Sequence, residues 1–307
     1  MSTPLNIDIN LASGFRQVAR ALTMVENNLK GYDELLKSLP FSNTPITGIT
    51  GPPGAGKSTL VNAIISGLLA KGKKVAILAI DPTSPFNFGS LLGDRIRMAT
   101  HFNHPDVFIR SLATRGSLGG LSAKTIEMTE VLKAAGFDHI IVETVGVGQS
   151  EVEIAGLADQ TFVTLVPEAG DEIQNIKSGL MEIADAFIIN KADRDGADLF
   201  INNLKKILHH DNGRDIPVLK TVASKNEGID AVVNLMLSAP LQPNTRKELL
   251  LAEKVYHIIQ QRRMQGVDKK KLRQQIAQAL SKGGFNMYRF AAEASSKSQE
   301  IRIRNQD

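Results

Sequence analysis

The densest chemistry in the chain is the run Gly51-Pro52-Pro53-Gly54-Ala55-Gly56-Lys57-Ser58, followed by Thr59. Its spacing is G-x-x-x-x-G-K-[ST]. Glycines at this density let backbone wrap an anion with its N–H groups turned inward. A helix starting at the end of the run adds the positive end of its dipole. Lys57 then reaches the β- and γ-phosphates of a nucleotide, and the Ser58 hydroxyl serves a Mg²⁺ ion.

A second cluster names the base. The apolar run Ala186–Ile189 ends in Asn190-Lys191-Ala192-Asp193. The Asp193 carboxylate suits the N1–H and exocyclic amine of guanine. Adenine has no such donor pair and leaves the acid unsatisfied. The Lys191 stem is expected along the base plane, with Asn190 tying loops together. A further base contact is expected in Thr221-Val222-Ala223-Ser224-Lys225, where the Ala223 N–H would meet guanine O6. Val222 stands where Ser is usual.

Acids at strand tips supply the metal side. Asp81 closes the run Val75–Ile80, and Asp94 follows on the same connection. Glu143 closes Ile140–Val142 and leads to Gly146-Val147-Gly148-Gln149. The Gly146 N–H is placed to sense a γ-phosphate, in a loop that reorders on hydrolysis. Gln149 is a weaker candidate to orient water. Lys57, Asp81 and Glu143 are thus the candidate catalytic groups.

These residues need a scaffold that brings strand ends together. From Ile46, short Val/Ile/Leu runs alternate with amphipathic stretches: Ile46–Thr50, Val75–Ile80, Val107–Ile109, His139–Val142, Thr161–Val166, Ala186–Ile189 and Val218–Leu219. That alternation predicts an α/β fold, a doubly wound, mostly parallel sheet buried on both faces. Val18, Leu22, Val25 and Leu29 predict an N-terminal helix. After Pro240 and Pro243, Glu248–Gln265 and Asp268–Ser281 read as helices, and Tyr288–Ser296 as a short third. The expected division is a helical extension (1–44), a nucleotide-binding domain (45–240) and a helical dimerisation region (241–307).

Composition narrows the class. The 307 residues are 42% hydrophobic and 22% charged, enough apolar content for a real core. No run approaches the ~18–20 apolar residues of a membrane span, and Met1–Gly14 lacks a secretory pattern. A cytoplasmic protein without a membrane role is expected. Cysteine is absent, which excludes disulfides and thiol chemistry. Lys+Arg 36 against Asp+Glu 32 gives +4, with no basic–aromatic pattern for nucleic acid.

Taken together, the chain resembles the MeaB/ArgK group of P-loop GTPases, auxiliary proteins of adenosylcobalamin-dependent acyl-CoA mutases. The matching segments are Gly51–Thr59, Asp81–Pro85, Gly89–Met98, Gly116–Leu121, Glu143–Glu151, Gly170-Asp171 with Gln174, Lys177 and Gly179, and Asn190–Asp193. The resemblance implies GTP hydrolysis to GDP and phosphate, with Mg²⁺ on Ser58, Asp81, Asp94 and Glu143. It also implies a homodimer and a mutase partner, methylmalonyl-CoA mutase first, that speeds a slow intrinsic rate. Pro167–Gly179 resembles the loop that signals to that partner, with Glu168 where glycine is usual.

Two other classes compete. An ATP-using phosphotransferase or transport-associated ATPase conflicts with Asn190–Asp193. A nickel metallochaperone GTPase would carry His-rich or Cys ligands. This chain has six histidines, and only His101/His104 and His209-His210 lie close together.

Overall fold

The computed structural model describes residues 9–81, 98–113, 123–144, 146, 150–168, 179–212, 216–238, 247–264, 267–281, 283 and 285–294. Seven strands form one sheet: β1 Ile46–Thr50, β2 Val75–Asp81, β3 Val107–Ala113, β4 His139–Glu143, β5 Gln160–Leu165, β6 Ala186–Ile189 and β7 Val218–Lys220. Their order is β3-β2-β4-β1-β5-β6-β7, and each neighbouring pair is parallel. The chain winds to one side of β1 through β2–β4 and to the other through β5–β7. The order reverses at β1, and the crevice beyond the strand ends there is where such sheets bind ligands.

The core explains why the strands read as continuous apolar runs. Every residue of β1, β4, β5 and β6 is buried. Period-two alternation divides them between two faces. Ile49, Ile77, Ile141, Phe162 and Ile188 meet α3 (Lys57–Ala70) and α8 (Ile229–Ser238) through Leu60, Ile64, Leu68 and Val233. Val163, Leu165, Phe187 and Ile189 meet α7 (Ala197–Asn212) through Phe200, Leu204 and Leu208. The remaining helices of this part are α1 Phe15–Glu26, α2 Tyr32–Ser38, α4 Ala123–Ala135, α5 Ser150–Leu157 and α6 Leu180–Ile183.

Helix α1 buries Val18, Ala21, Leu22 and Val25 and packs on α4. Phe15 anchors its start, 5.6 Å from Phe108 of β3 and 6.1 Å from Phe137 between ring centroids. Leu29 does not continue its apolar stripe, because the helix stops at Glu26. Asn28 takes a left-handed φ of 50°, Leu29 N–H returns to Met24 O and Asn28 N–H to Val25 O. This terminating motif leaves Leu29 half exposed over the last turn. Strand β3 runs four residues past its apolar stretch. There Arg110 pairs with Glu26 at 2.5 Å, which lets a charged residue sit in an edge strand.

The chain divides into two units, Met1–Lys254 and Val255–Asp307, with the boundary inside α9 (Lys247–Met264). The second unit holds α10 (Lys269–Ser281), capped by Asp268, whose Oδ1 accepts from the Lys270 and Lys271 N–H groups. Its Phe285 and Phe290 rings lie 5.7 Å apart. Among the described residues no helix is long and apolar enough to cross a membrane.

Candidate functional site

The site opens where β1 ends. Gly51 leaves the strand at φ 134°, and a Cβ there would overlap the Thr164 carbonyl of β5. Gly56 caps α3 in the left-handed region, so Lys57 and Ser58 form the first turn and turn back toward the strand tips. Both are buried. Lys57 Nζ donates to Gly51 O at 2.8 Å and to Pro52 O at 3.1 Å. The ammonium is thus stored on the carbonyls of its own loop.

Ser58 Oγ donates to Glu143 Oε1 at 2.7 Å. Both residues are 4% exposed. Parallel register makes this contact possible: Ile49 of β1 sits beside Glu143 of β4. Ala79 of β2 sits on the other side of Glu143, so Asp81 lies two residues further along the adjacent strand tip. A hydroxyl and a carboxylate in contact make an all-oxygen pair suited to a hard cation such as Mg²⁺, and register puts Asp81 at the tip of the next strand. Gly146, at φ 83°, lies against the same loop; a Cβ there would overlap Gly51 O and Lys57 Nζ.

The base-reading residues arrive from β6. Asn190 is buried and joins three segments. Its Nδ2 donates to Ala55 O at 2.9 Å. Its Oδ1 accepts from Ala223 N–H at 3.1 Å and from Thr221 Oγ1 at 3.2 Å. The Ala223 amide expected at guanine O6 is therefore held by Asn190 here, with Val222 and Ser224 on either side of it. Lys191 adopts φ 54° and extends across the phosphate loop to Gly54 O at 2.8 Å. A left-handed lysine costs about 1–2 kcal/mol, and this bond and Ala192 N–H to Thr221 O at 3.1 Å hold the turn.

Asp193 is half exposed and pairs with Lys225 Nζ at 3.1 Å. That hydrogen bond, with Arg194 nearby, holds its carboxyl below the usual range, and in return raises Lys225. Glu168 pairs with Arg194, which lowers its carboxyl in the same way.

The structure thus brings together Gly51–Thr59, Glu143, Gly146, Asn190–Asp193 and Val222–Ser224, with Asp81 at the neighbouring tip. Asp94, Gln149, Gly170, Asp171, Gln174 and Lys177 lie outside the described residues, as do 116–121. Lys225 on Asp193, the Thr221 hydroxyl on Asn190 and a Thr50–Thr144 hydroxyl pair at 2.9 Å received no role from the sequence. Lys225 stands inside a segment singled out for the base. The threonine pair joins residues 94 apart and has no local signal.

The family described as "Methylmalonyl Co-A mutase-associated GTPase MeaB" matches residues 18–280. A protein of Pyrococcus abyssi described as a candidate GTPase is 53% identical over 222 residues, 70% of this chain and 68% of that one. The mouse protein "Methylmalonic aciduria type A homolog, mitochondrial" is 38% identical over 194 residues, 58% of this chain and 47% of its own. A solved structure titled "LAO/AO transport system kinase" superposes with a TM-score of 0.63 at 27% identity, covering 92% of this chain and 93% of that one. A phosphate loop wired to a guanine-type Asn-Lys-x-Asp turn, together with a family match across most of the length, leads to one conclusion: the chain belongs to the MeaB family of P-loop GTPases.

Proposed function

We propose that this protein binds GTP with Mg²⁺, hydrolyses it to GDP and phosphate, and uses that cycle to serve an adenosylcobalamin-dependent acyl-CoA mutase. The observation that carries the reading is Asn190, which bonds the phosphate loop through Ala55 O and the second base segment through Ala223 N–H. A ligand spanning these segments is read at both ends, as a triphosphate and as guanine.

In this reading catalysis is positioning plus charge stabilisation, with water as acceptor. Lys57 exchanges the Gly51 and Pro52 carbonyls for β- and γ-phosphate oxygens. Loop amides and the α3 N-terminus bind the same phosphates. Ser58 and Glu143 would hold Mg²⁺, joined by Asp81 and Asp94. When bound, the ion would supply neutralisation of the charge developing on the phosphates. Gly146 N–H faces the γ-phosphate. Asp193 accepts from guanine N1–H and the exocyclic amine, while Lys191 lines the base.

The partner, a methylmalonyl-CoA mutase first, is supported by the family's description, which names that enzyme. We also propose a homodimer, which the resemblance to the MeaB/ArgK group implies. The experiment is GTP turnover by the purified protein with and without the mutase from the same source. A rise of tenfold or more, about 1.4 kcal/mol of barrier, supports both GTPase and partner class. Slow turnover that the mutase leaves unchanged keeps the GTPase and removes the partner. Equal use of ATP removes the guanine reading.

A further inference from the structure

We infer that Thr50 and Thr144 are positioning residues for hydrolysis: their paired hydroxyls fix the distance between the phosphate loop and Gly146, the residue read as facing the γ-phosphate. The inference rests on the reading of this cleft as a GTP-hydrolysing site.

Thr50 is the last residue of β1, and Gly51 follows it into the phosphate loop. Thr144 is the first residue past β4 and leads to Gly146. Both are buried, at 0% and 2% exposure. Their hydroxyls meet at 2.9 Å, and Thr144 N–H donates to Ile49 O at 3.0 Å. The pair therefore carries β1–β4 pairing one residue beyond Ile49–Glu143, to the root of both loops.

The side-chain alternation adds a second point. Ile49 and Glu143 face α3, where Ser58 meets Glu143. Thr50 and Thr144 point to the opposite face, as does Gly48, which receives Ile154 of α5. The hydroxyl pair thus lies on the face away from the Ser58–Glu143 contact.

Stability alone does not account for hydroxyls here. Replacing both members of a buried hydrogen-bonded pair by apolar groups of the same shape is nearly neutral or stabilising. Valine has that shape. What valine does not reproduce is distance: oxygens pair at 2.9 Å, whereas carbon atoms settle at about 3.5–4.0 Å. A Val–Val pair spreads the two strand ends by about 1 Å. Gly146 is packed so closely on Gly51 O and Lys57 Nζ that this shift alters its place over the phosphates. A displacement of about 1 Å can cost on the order of a hundredfold in rate.

The test is steady-state and single-turnover GTP hydrolysis by the full chain, with GDP affinity and thermal midpoint measured alongside. Thr50→Val/Thr144→Val is expected to keep its midpoint and GDP affinity while kcat falls about tenfold or more at nearly constant KM. Thr144→Ser and Thr144→Ala provide a second contrast, independent of how the valine pair folds. Both lose the methyl, and only serine keeps the hydroxyl and the rate. A double valine variant with wild-type kcat, or alanine and serine variants with equal rates, overturns the inference and leaves the GTPase reading intact. Wild-type protein that turns over no GTP overturns both.

Discussion

The two ends of the cleft are built on opposite electrostatic plans. At the phosphate end, Lys57, Ser58 and Glu143 are buried and already engaged with one another or with loop carbonyls. At the base end, Asp193 and Lys225 form an exposed pair, and Glu168 and Arg194 another. Buried groups cost desolvation and must be held by fixed partners, so their positions are preset before any ligand arrives. Exposed pairs are screened by solvent and exchange partners at little cost. The contrast assigns rate to the buried end and base choice to the open one. Asn190 is the buried exception at the base end, and it is the residue that joins the two.

The largest expected break is Lys57→Ala. Losing one preorganised charge at the phosphates costs on the order of a hundredfold or more in kcat. Circular dichroism and the thermal midpoint check that the fold persists; Lys57 donates to Gly51 O and Pro52 O of its own loop. Retained turnover removes Lys57 from the mechanism.

Asn190→Ala attacks the joint itself. It leaves Ala55 O, Ala223 N–H and Thr221 Oγ1 to find other partners. Two or more unsatisfied buried groups at about 1 kcal/mol or more each predict about 2–4 kcal/mol of lost stability in urea titration. GTP and ATP binding fall together because both halves loosen. A silent substitution shows that the ends are not coupled through this side chain.

A buried titratable group far from the cleft separates burial from function. His139 opens β4, fully buried, its Nε2 2.8 Å from Thr47 Oγ1. Burial pushes its pKa from 6.5 down to about 4. The unfolded chain therefore binds a proton below pH 6.5 that the folded chain refuses until about pH 4. Stability falls as pH drops through that window, by up to about 3 kcal/mol. Urea titrations of wild type and His139→Gln at pH 7 and pH 4.5 should show a smaller acid loss in the variant. Equal losses contradict the assignment.

Lys225→Ala is the smallest expected effect. An exposed partner of Asp193 is worth little, so GTP affinity should change by only about twofold at moderate salt. The change should shrink further as salt rises. A tenfold loss would mean that Lys225 holds the base directly.

These differences track what was legible in the sequence. The Val/Ile runs, the glycine spacing around Lys57 and the Asn190–Asp193 turn are local signals, and the sheet and both ends of the cleft follow from them. Periodicity alone did not mark the end of α1, since Val18, Leu22, Val25 and Leu29 keep helical spacing. What stops the helix is left-handed Asn28, whose neighbour Asn27 gives no stronger hint. The outer part of β3 was hidden by Arg110, whose partner Glu26 lies 84 residues away. Ser58–Glu143 and Thr50–Thr144 depend on which strand stands beside β1, and parallel crossovers place that neighbour far off in sequence. Lys225 on Asp193 was not assigned because the pair joins two loops 32 residues apart and leaves no local signal.

The most direct test of the central claim is the ratio of kcat/KM for GTP over ATP in the full chain and in Asp193→Asn, with Mg²⁺ present. The wild type is expected to prefer GTP strongly. Most of this preference should collapse in the variant, through loss of GTP use with little change for ATP. A wild type that uses both nucleotides alike, or a variant that loses both equally, contradicts the guanine assignment.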